Sequence, residues 1–205
     1  MAARLRTRID EDPGMMDDPP VTRWMFNSTL AAWGWLAIRL YVGYQWFVAG
    51  EHKVTDPAWM SSGDALKGYW TRAAAIPAAP AKPPVSFDWY RDFLQFLLDS
   101  GSAPWFAKLV AVGELLIGIA LVIGIFTGIA AFFGAFMNWN FMMAGTASTN
   151  PLLMVLAIGL MLAWKVAGYY GADRWLLPLV GTPWRRGKLV RTSAGYVEIP
   201  EVRTA

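Results

Sequence analysis

Four stretches of the chain are so apolar, over so nearly a bilayer's thickness, that water is a poor solvent for any of them. Ala31–Gly50 reads AAWGWLAIRLYVGYQWFVAG and Pro104–Phe126 reads PWFAKLVAVGELLIGIALVIGIF. Ile129–Gly145 reads IAAFFGAFMNWNFMMAG and Pro151–Tyr170 reads PLLMVLAIGLMLAWKVAGYY. A ~30 Å hydrocarbon core takes roughly 20 helical residues. Lipid offers the backbone no partner, so each stretch is read as a helix. The expectation is an all-α polytopic membrane protein, a four-transmembrane-helix bundle spanning residues 31–50, 104–126, 129–145 and 151–170. Hydrophobic residues make up 56% of the chain, above the roughly 45–50% of soluble domains. Trp24, Trp105, Trp164, Trp175 and Trp184 fall near segment ends, where indole rings anchor at headgroup level.

The flanks read differently. Residues 1–23 mix RLRTR with DEDP and DDPP and hold no apolar run, so they are expected to be a disordered cytoplasmic segment and no signal peptide. Residues 24–180 form the membrane domain. Residues 181–205 carry Arg185, Arg186, Lys188, Arg191 and Arg203, a basic tail just past the fourth stretch. Its charge fits the positive-inside rule better than nucleic-acid binding. An even number of spans then places both termini in the cytoplasm.

Residues 51–103 become an outer loop. It opens on Glu51, His52 and Lys53, and a short helix is expected near Gly63–Ala75. The run IPAAPAKPPV favours extended conformations. In SFDWYRDFLQFLLDSG, Asp88, Asp92, Gln95 and Asp99 recur on one helical side and Tyr90, Phe93, Leu94 and Leu97 on the other. This predicts an amphipathic helix at the outer interface, started by Ser86 and ended at Gly101.

Charges within the apolar stretches mark the candidate site. Arg39 and Glu114 each cost about 2.5–3.5 kcal/mol in hydrocarbon, so they are expected to face the bundle interior. At ~1.5 Å per residue, with Glu51 and Pro104 as outer ends, Arg39 lies roughly 18 Å inward and Glu114 roughly 15 Å, near enough to pair. Asn138 lies at about 10–12 Å. Arg39, Gly43, Trp46, Gly50 and Lys53 share one stripe of the first helix, and small residues beside polar ones let membrane helices approach closely. Lys165, near the inner end, is expected to snorkel. The network reads either as a register-fixing device or as a site for a polar headgroup or small anion.

Absences narrow the chemistry. The sequence has no cysteine, so it offers no disulfide, iron–sulfur cluster or thiolate metal site. His52 is its single histidine, which rules out bis-histidine haem ligation. Glu51 and His52 would bind a metal only with ligands from elsewhere, so no metal site is expected. No glycine-rich nucleotide loop appears. Any electron transfer needs a diffusible carrier such as quinone, or a partner protein.

RLYVGYQWFVAGEHK, GELLIGIALVIGIFTG, NFMMAGTASTNP and AGYYGADRWLLP together resemble the DoxX/DoxD family of bacterial membrane proteins, over roughly Ala31–Leu179. The resemblance implies a four-helix fold in the bacterial inner membrane. It also implies a link to thiosulfate:quinone oxidoreductases and to complexes that handle oxidative or sulfur stress. It lands on Arg39, Lys53, Glu114 and Asp173, with Asp173 and Asn150 read as structural positions. The expectation is a membrane subunit that passes electrons from thiosulfate or a related sulfur compound to quinone. Arg39 would stabilise an anion, Glu114 would serve as counter-ion and proton carrier, and Asn138 and Trp46 would position the headgroup. Lys53 and His52 complete the binding candidates. Expected partners are membrane lipid and a second redox subunit or soluble enzyme. A non-enzymatic scaffold docking a soluble enzyme is the alternative. A transporter ranks last, because four helices without an internal repeat do not suggest alternating access.

Overall fold

A computed structural model describes residues 18–180. The described residues are helical and contain no strand. In chain order the helices are α1 (Pro20–Asn27), α2 (Ala32–Thr55), α3 (Pro57–Met60), α4 (Asp64–Ala74), α5 (Asp88–Asp99), α6 (Ala103–Ile123), α7 (Thr127–Met143), α8 (Asn150–Leu162), α9 (Trp164–Ala167) and α10 (Asp173–Leu179).

Two extensive interfaces build the body, α2 against α6 and α7 against α8. The first is a close antiparallel pairing. A Cβ on Gly50 would strike the backbone of Glu114 and Leu115, and one on Gly118 would strike the backbone of Phe47. Val42, Trp46, Ile117, Leu121, Ala131 and Leu160 join both pairs in one core.

The outer surface of this body is apolar. Tyr44 (61% exposed), Leu116 (59%) and Val155 (66%) lie on α2, α6 and α8. Exposed apolar area on this scale is a lipid-facing or partner-facing surface. By length and composition α6 is the one helix among the described residues able to cross a membrane, with a mean hydropathy of 2.3 in its most apolar window. α8 is a shorter apolar helix.

A cap sits on one end. Leu66 and Trp70 of α4, Val85, and Tyr90 and Leu94 of α5 pack on Ala103 and Ala107, the first turns of α6. α5 is amphipathic: Tyr90, Leu94 and Leu97 are buried while Asp92 and Asp99 are exposed. The Tyr90 hydroxyl donates to the carbonyl of Asn140 at 3.1 Å and pins α5 over the end of α7. Ser86 does not cap this helix. The cap position is Phe87, without a side-chain bond, and its carbonyl accepts from the backbone N–H groups of Tyr90 and Arg91.

Several boundaries differ from the sequence reading. Residues 20–23 belong to α1, because Phe26 stacks on Trp35 at 5.8 Å and Trp35 Nε1 donates to the Met25 carbonyl at 2.7 Å. These contacts tie α1 to the body. The fourth stretch is not one helix to Tyr170; it breaks at Ala163, and Trp164 settles against Gly128. The Lys165 ammonium reaches the exposed surface, where it donates to Asn27 Oδ1 at 3.0 Å. The expectations for residues 1–17 and for the basic tail at 181–205 lie outside the described residues.

Candidate functional site

Arg39 and Glu114 do not pair. In the antiparallel register Gly43 faces Leu121 and Val122, Phe47 faces Gly118, and Gly50 faces Glu114 and Leu115. Glu114 is therefore level with Gly50, and Arg39 is level with the far end of α6, about 16 Å away along the helix axis. The equal-depth expectation took the outer ends of α2 and α6 as level. In the structure α6 runs outward past the end of α2, because its first turns carry the cap.

Arg39 belongs to a structural knot. Its guanidinium donates to the Leu121 carbonyl at 2.9 Å and to the Tyr170 carbonyl at 3.0 Å. A cation at the Leu121 carbonyl, in the last turn of α6, also complements the negative end of that helix's dipole. Close by, Asp173 accepts from the backbone N–H of Phe126 at 2.6 Å and of Thr127 at 2.9 Å, capping the start of α7. Gly124, at φ 77°, lets the turn pass: a Cβ there would collide with the Arg39 guanidinium. Phe126 holds a left-handed φ of 44° without being glycine. Such a backbone costs roughly 1–3 kcal/mol and persists only when its surroundings impose it. Asp173 does so here.

Glu114 lies at the other end, in a cavity of about 580 Å³ between α2, α4, α6, α7 and the start of α8. Trp46, Lys53, Glu114 and Asn138, all binding candidates in the sequence, line it together with Asn150, which was read as structural. Lys53 sits seven residues after Trp46 on the same stripe of α2, so both face inward. Its ammonium lies 2.6 Å from Glu114 Oε2 and 5.2 Å from the centre of the Trp59 ring. Glu114 is 1% exposed and Asn138 is fully buried. Asn150 donates to the Thr146 carbonyl at 3.0 Å and holds the loop between α7 and α8.

Two residues that line this cavity carry three buried polar atoms with no hydrogen-bond partner among the described residues: both amide atoms of Asn138 and the Trp46 indole N–H. Buried polar atoms are almost always satisfied, and leaving one unmet costs roughly 1–3 kcal/mol. An indole donor and an amide that both donates and accepts, beside an ammonium–carboxylate pair, suit a compact group with carbonyl or hydroxyl oxygens. The Lys53–Glu114 pair can also hand a proton to such a group.

His52 does not line the cavity; it is exposed on the last turn of α2. The cavity also takes residues that the sequence reading passed over, among them Trp59, Asp64, Tyr69 and Arg72. They come from α3 and from α4, the short helix expected near Gly63–Ala75, whose place against the body hydropathy does not give. Arg72 and Asp64 are exposed and border the mouth. Tyr69 bonds Thr146 Oγ1 at 2.9 Å, and burial raises its phenol above the ordinary range. No cluster of three or more His, Cys, Asp or Glu side chains suited to a metal occurs among the described residues.

A family model described as DoxX matches residues 34–149. The match takes in Trp46, Lys53, Glu114 and Asn138, and it stops short of Asp173. Neither the curated proteins nor the solved structures contain a match to this chain.

Proposed function

The chain belongs to the DoxX family of membrane proteins, and we propose that it is the membrane subunit of a quinone-linked oxidoreductase whose headgroup site is the cavity around Asn138. The observation that carries this reading is the set of unmet donors and acceptors on Asn138 and Trp46, buried beside Lys53 and Glu114. Polar groups placed within an apolar helix body are costly and are most often retained for function. A quinone carbonyl would accept from the Trp46 indole or the Asn138 amide. Reduction to quinol takes up two electrons and two protons. The Lys53–Glu114 pair would deliver protons, and Lys53 would stabilise the anionic oxygen formed on the way.

The electrons would come from thiosulfate or a related sulfur compound, directly or through a partner subunit. Arg72 at the mouth supplies a cation for an anionic donor. Arg39, bonded to carbonyls at the far end, has no part in this chemistry. In this reading four helices cross the bacterial inner membrane, both termini are cytoplasmic, and the cavity opens on the outer side under the cap.

The test is quinone binding and thiosulfate-dependent quinone reduction by purified protein, with Asn138→Leu beside the wild type. Binding in the wild type that falls about tenfold or more in Asn138→Leu supports the reading. A wild type that binds no quinone overturns it, as does an Asn138→Leu protein that binds as well as the wild type. A scaffold would bind no quinone, and its capture of a soluble enzyme would survive Asn138→Leu.

A further inference from the structure

A second cavity of about 500 Å³ lies beside the first, in the seam between α6 and α7 and under α5. The seam exists because α6 packs chiefly on α2 and α7 chiefly on α8, so the two helices touch each other far less. Its walls are apolar: Leu109 and Leu116 from α6, Phe133 and Met137 from α7, with Phe93 and Leu97 of α5 as a roof. Gly113 keeps it open at mid-height, since a Cβ there would find only Met137 Sδ, 4.0 Å away. Leu116 and Phe133 are more than half exposed on the body's outer surface, so the cleft opens sideways.

Tyr69 and Phe141 line both this cleft and the polar cavity. Their rings meet edge to face with centroids 6.3 Å apart. The Tyr69 hydroxyl is tied to Thr146, a wall residue of the polar cavity. One aromatic pair therefore separates a charged chamber from an apolar one. A small soluble anion would use only the first chamber. A molecule with a compact polar head and a single flexible hydrocarbon tail would use both.

We infer that the α6–α7 cleft holds the hydrocarbon chain of a membrane amphiphile, which enters sideways from the bilayer and lays its polar head past Tyr69 and Phe141. This rests on the headgroup reading of the Asn138 cavity and extends it to the chain. The shared chemistry is a polar head on one narrow tail, and the tail belongs either to a quinone or to a lipid. In a bilayer the tail gains little from leaving water, since the surrounding lipid is equally apolar; preference for the cleft comes from packing against its walls.

The test uses the full chain in detergent and three probes: a dimethoxy-methyl-benzoquinone, the same quinone with a decyl chain, and decyl phosphocholine as a competitor. Gly113→Leu fills the cleft without touching the polar lining, and Gly113→Ala fills it less if the larger side chain impairs folding. The decyl quinone should bind the wild type about tenfold or more tightly than the tailless one. That advantage should shrink stepwise in Gly113→Ala and Gly113→Leu, while tailless binding stays unchanged. A tail advantage due to micelle partitioning would survive both variants, and its survival overturns the inference. Absence of binding by both quinones in the wild type, with decyl phosphocholine still bound and released by Gly113→Leu, keeps the chain site, assigns it to lipid and sinks the quinone reading. Failure of both tailed probes to bind overturns the inference outright.

Discussion

Lys53 at the end of α2 closes to 2.6 Å on Glu114, a carboxylate 1% exposed in the middle of α6. The Lys53 side chain is partly accessible, so the pair runs from the mouth of the cavity to its buried wall. Removing Lys53 alone leaves a buried carboxylate without its cation, which costs up to about 3–5 kcal/mol. Lys53→Met should therefore lower Tm more than the double variant Lys53→Met/Glu114→Gln. Arg39→Leu and Glu114→Gln share no partner, so their Tm losses should add. A double-mutant cycle in detergent reads both. Strong coupling between Arg39 and Glu114 would contradict the register described above.

Asn138 separates stability from binding. Its amide is buried without partners, so a leucine, branched alike with the same number of heavy atoms and bordering a cavity, removes an unmet polar group worth roughly 1–3 kcal/mol. Asn138→Leu should leave the apo protein as stable as the wild type or raise its Tm. It should also abolish any Tm increase produced by quinone. Thermal unfolding with and without ligand measures the two effects side by side. A large loss of stability without ligand would show that Asn138 is a structural residue.

The knot at the other end should behave in the opposite way. Asp173→Ala removes the cap of α7 and the group that holds Phe126 at positive φ. Helix caps are worth about 0.5–2 kcal/mol, and released backbone strain offsets part of that loss. Arg39→Lys loses the fork that reaches two carbonyls at once. Both variants should lower Tm, with ligand affinity per folded molecule unchanged. Isothermal titration on the folded fraction is the check, and a selective loss of affinity would place the knot in the binding machinery.

Alkaline pH should loosen the cap. Burial first, and then the neighbouring Tyr69, push the Tyr90 phenol up to about 12 from an ordinary value near 10. The native state thus favours the neutral phenol. Its contribution is whole below the unfolded value of about 10 and is lost as pH rises through about 12. Tyr90→Phe should flatten the fall in Tm across that window, although it also gives up the bond to Asn140. Melting curves at a series of alkaline pH values decide it. Parallel curves for the two proteins would mean that another group controls the loss.

Topology has a separate test. Reporter fusions at Ala205 and within Ala78–Lys82 should report opposite sides of the membrane. Both on one side would contradict four spans with cytoplasmic termini.

The sequence made some of these features legible and hid others for physical reasons. The alternation around Asp88, Asp92, Gln95 and Asp99 was enough to find α5, because an amphipathic surface helix writes its burial into a period of 3.6. The buried state of Glu114 and Asn138 was equally readable, since polar residues inside apolar helices rarely face lipid. The partner of Glu114 was not. Hydropathy gives the length of an apolar stretch, and it does not say how far one helix slides along another. That slide is set by Gly50 and Gly118 meeting backbone, and by Ala103 and Ala107 carrying the cap of α4 and α5. Trp59, Tyr69 and Arg72 were invisible for the same reason, because only the folding of α3 and α4 back over α6 brings them to the cavity.

The knot around Arg39 also bears on how the chain is made. Arg39 is translated early, yet the carbonyls that accept its hydrogen bonds belong to Leu121 and Tyr170, 82 and 131 residues downstream. In the four-span reading proposed above, α2 leaves the ribosome before either of these acceptors has been made. That reading predicts that α2 is released into lipid only once Tyr170 has emerged. Ribosome-bound chains stalled before Gly168 should hold α2 beside the insertion machinery, and chains stalled well after Asp173 should let it go.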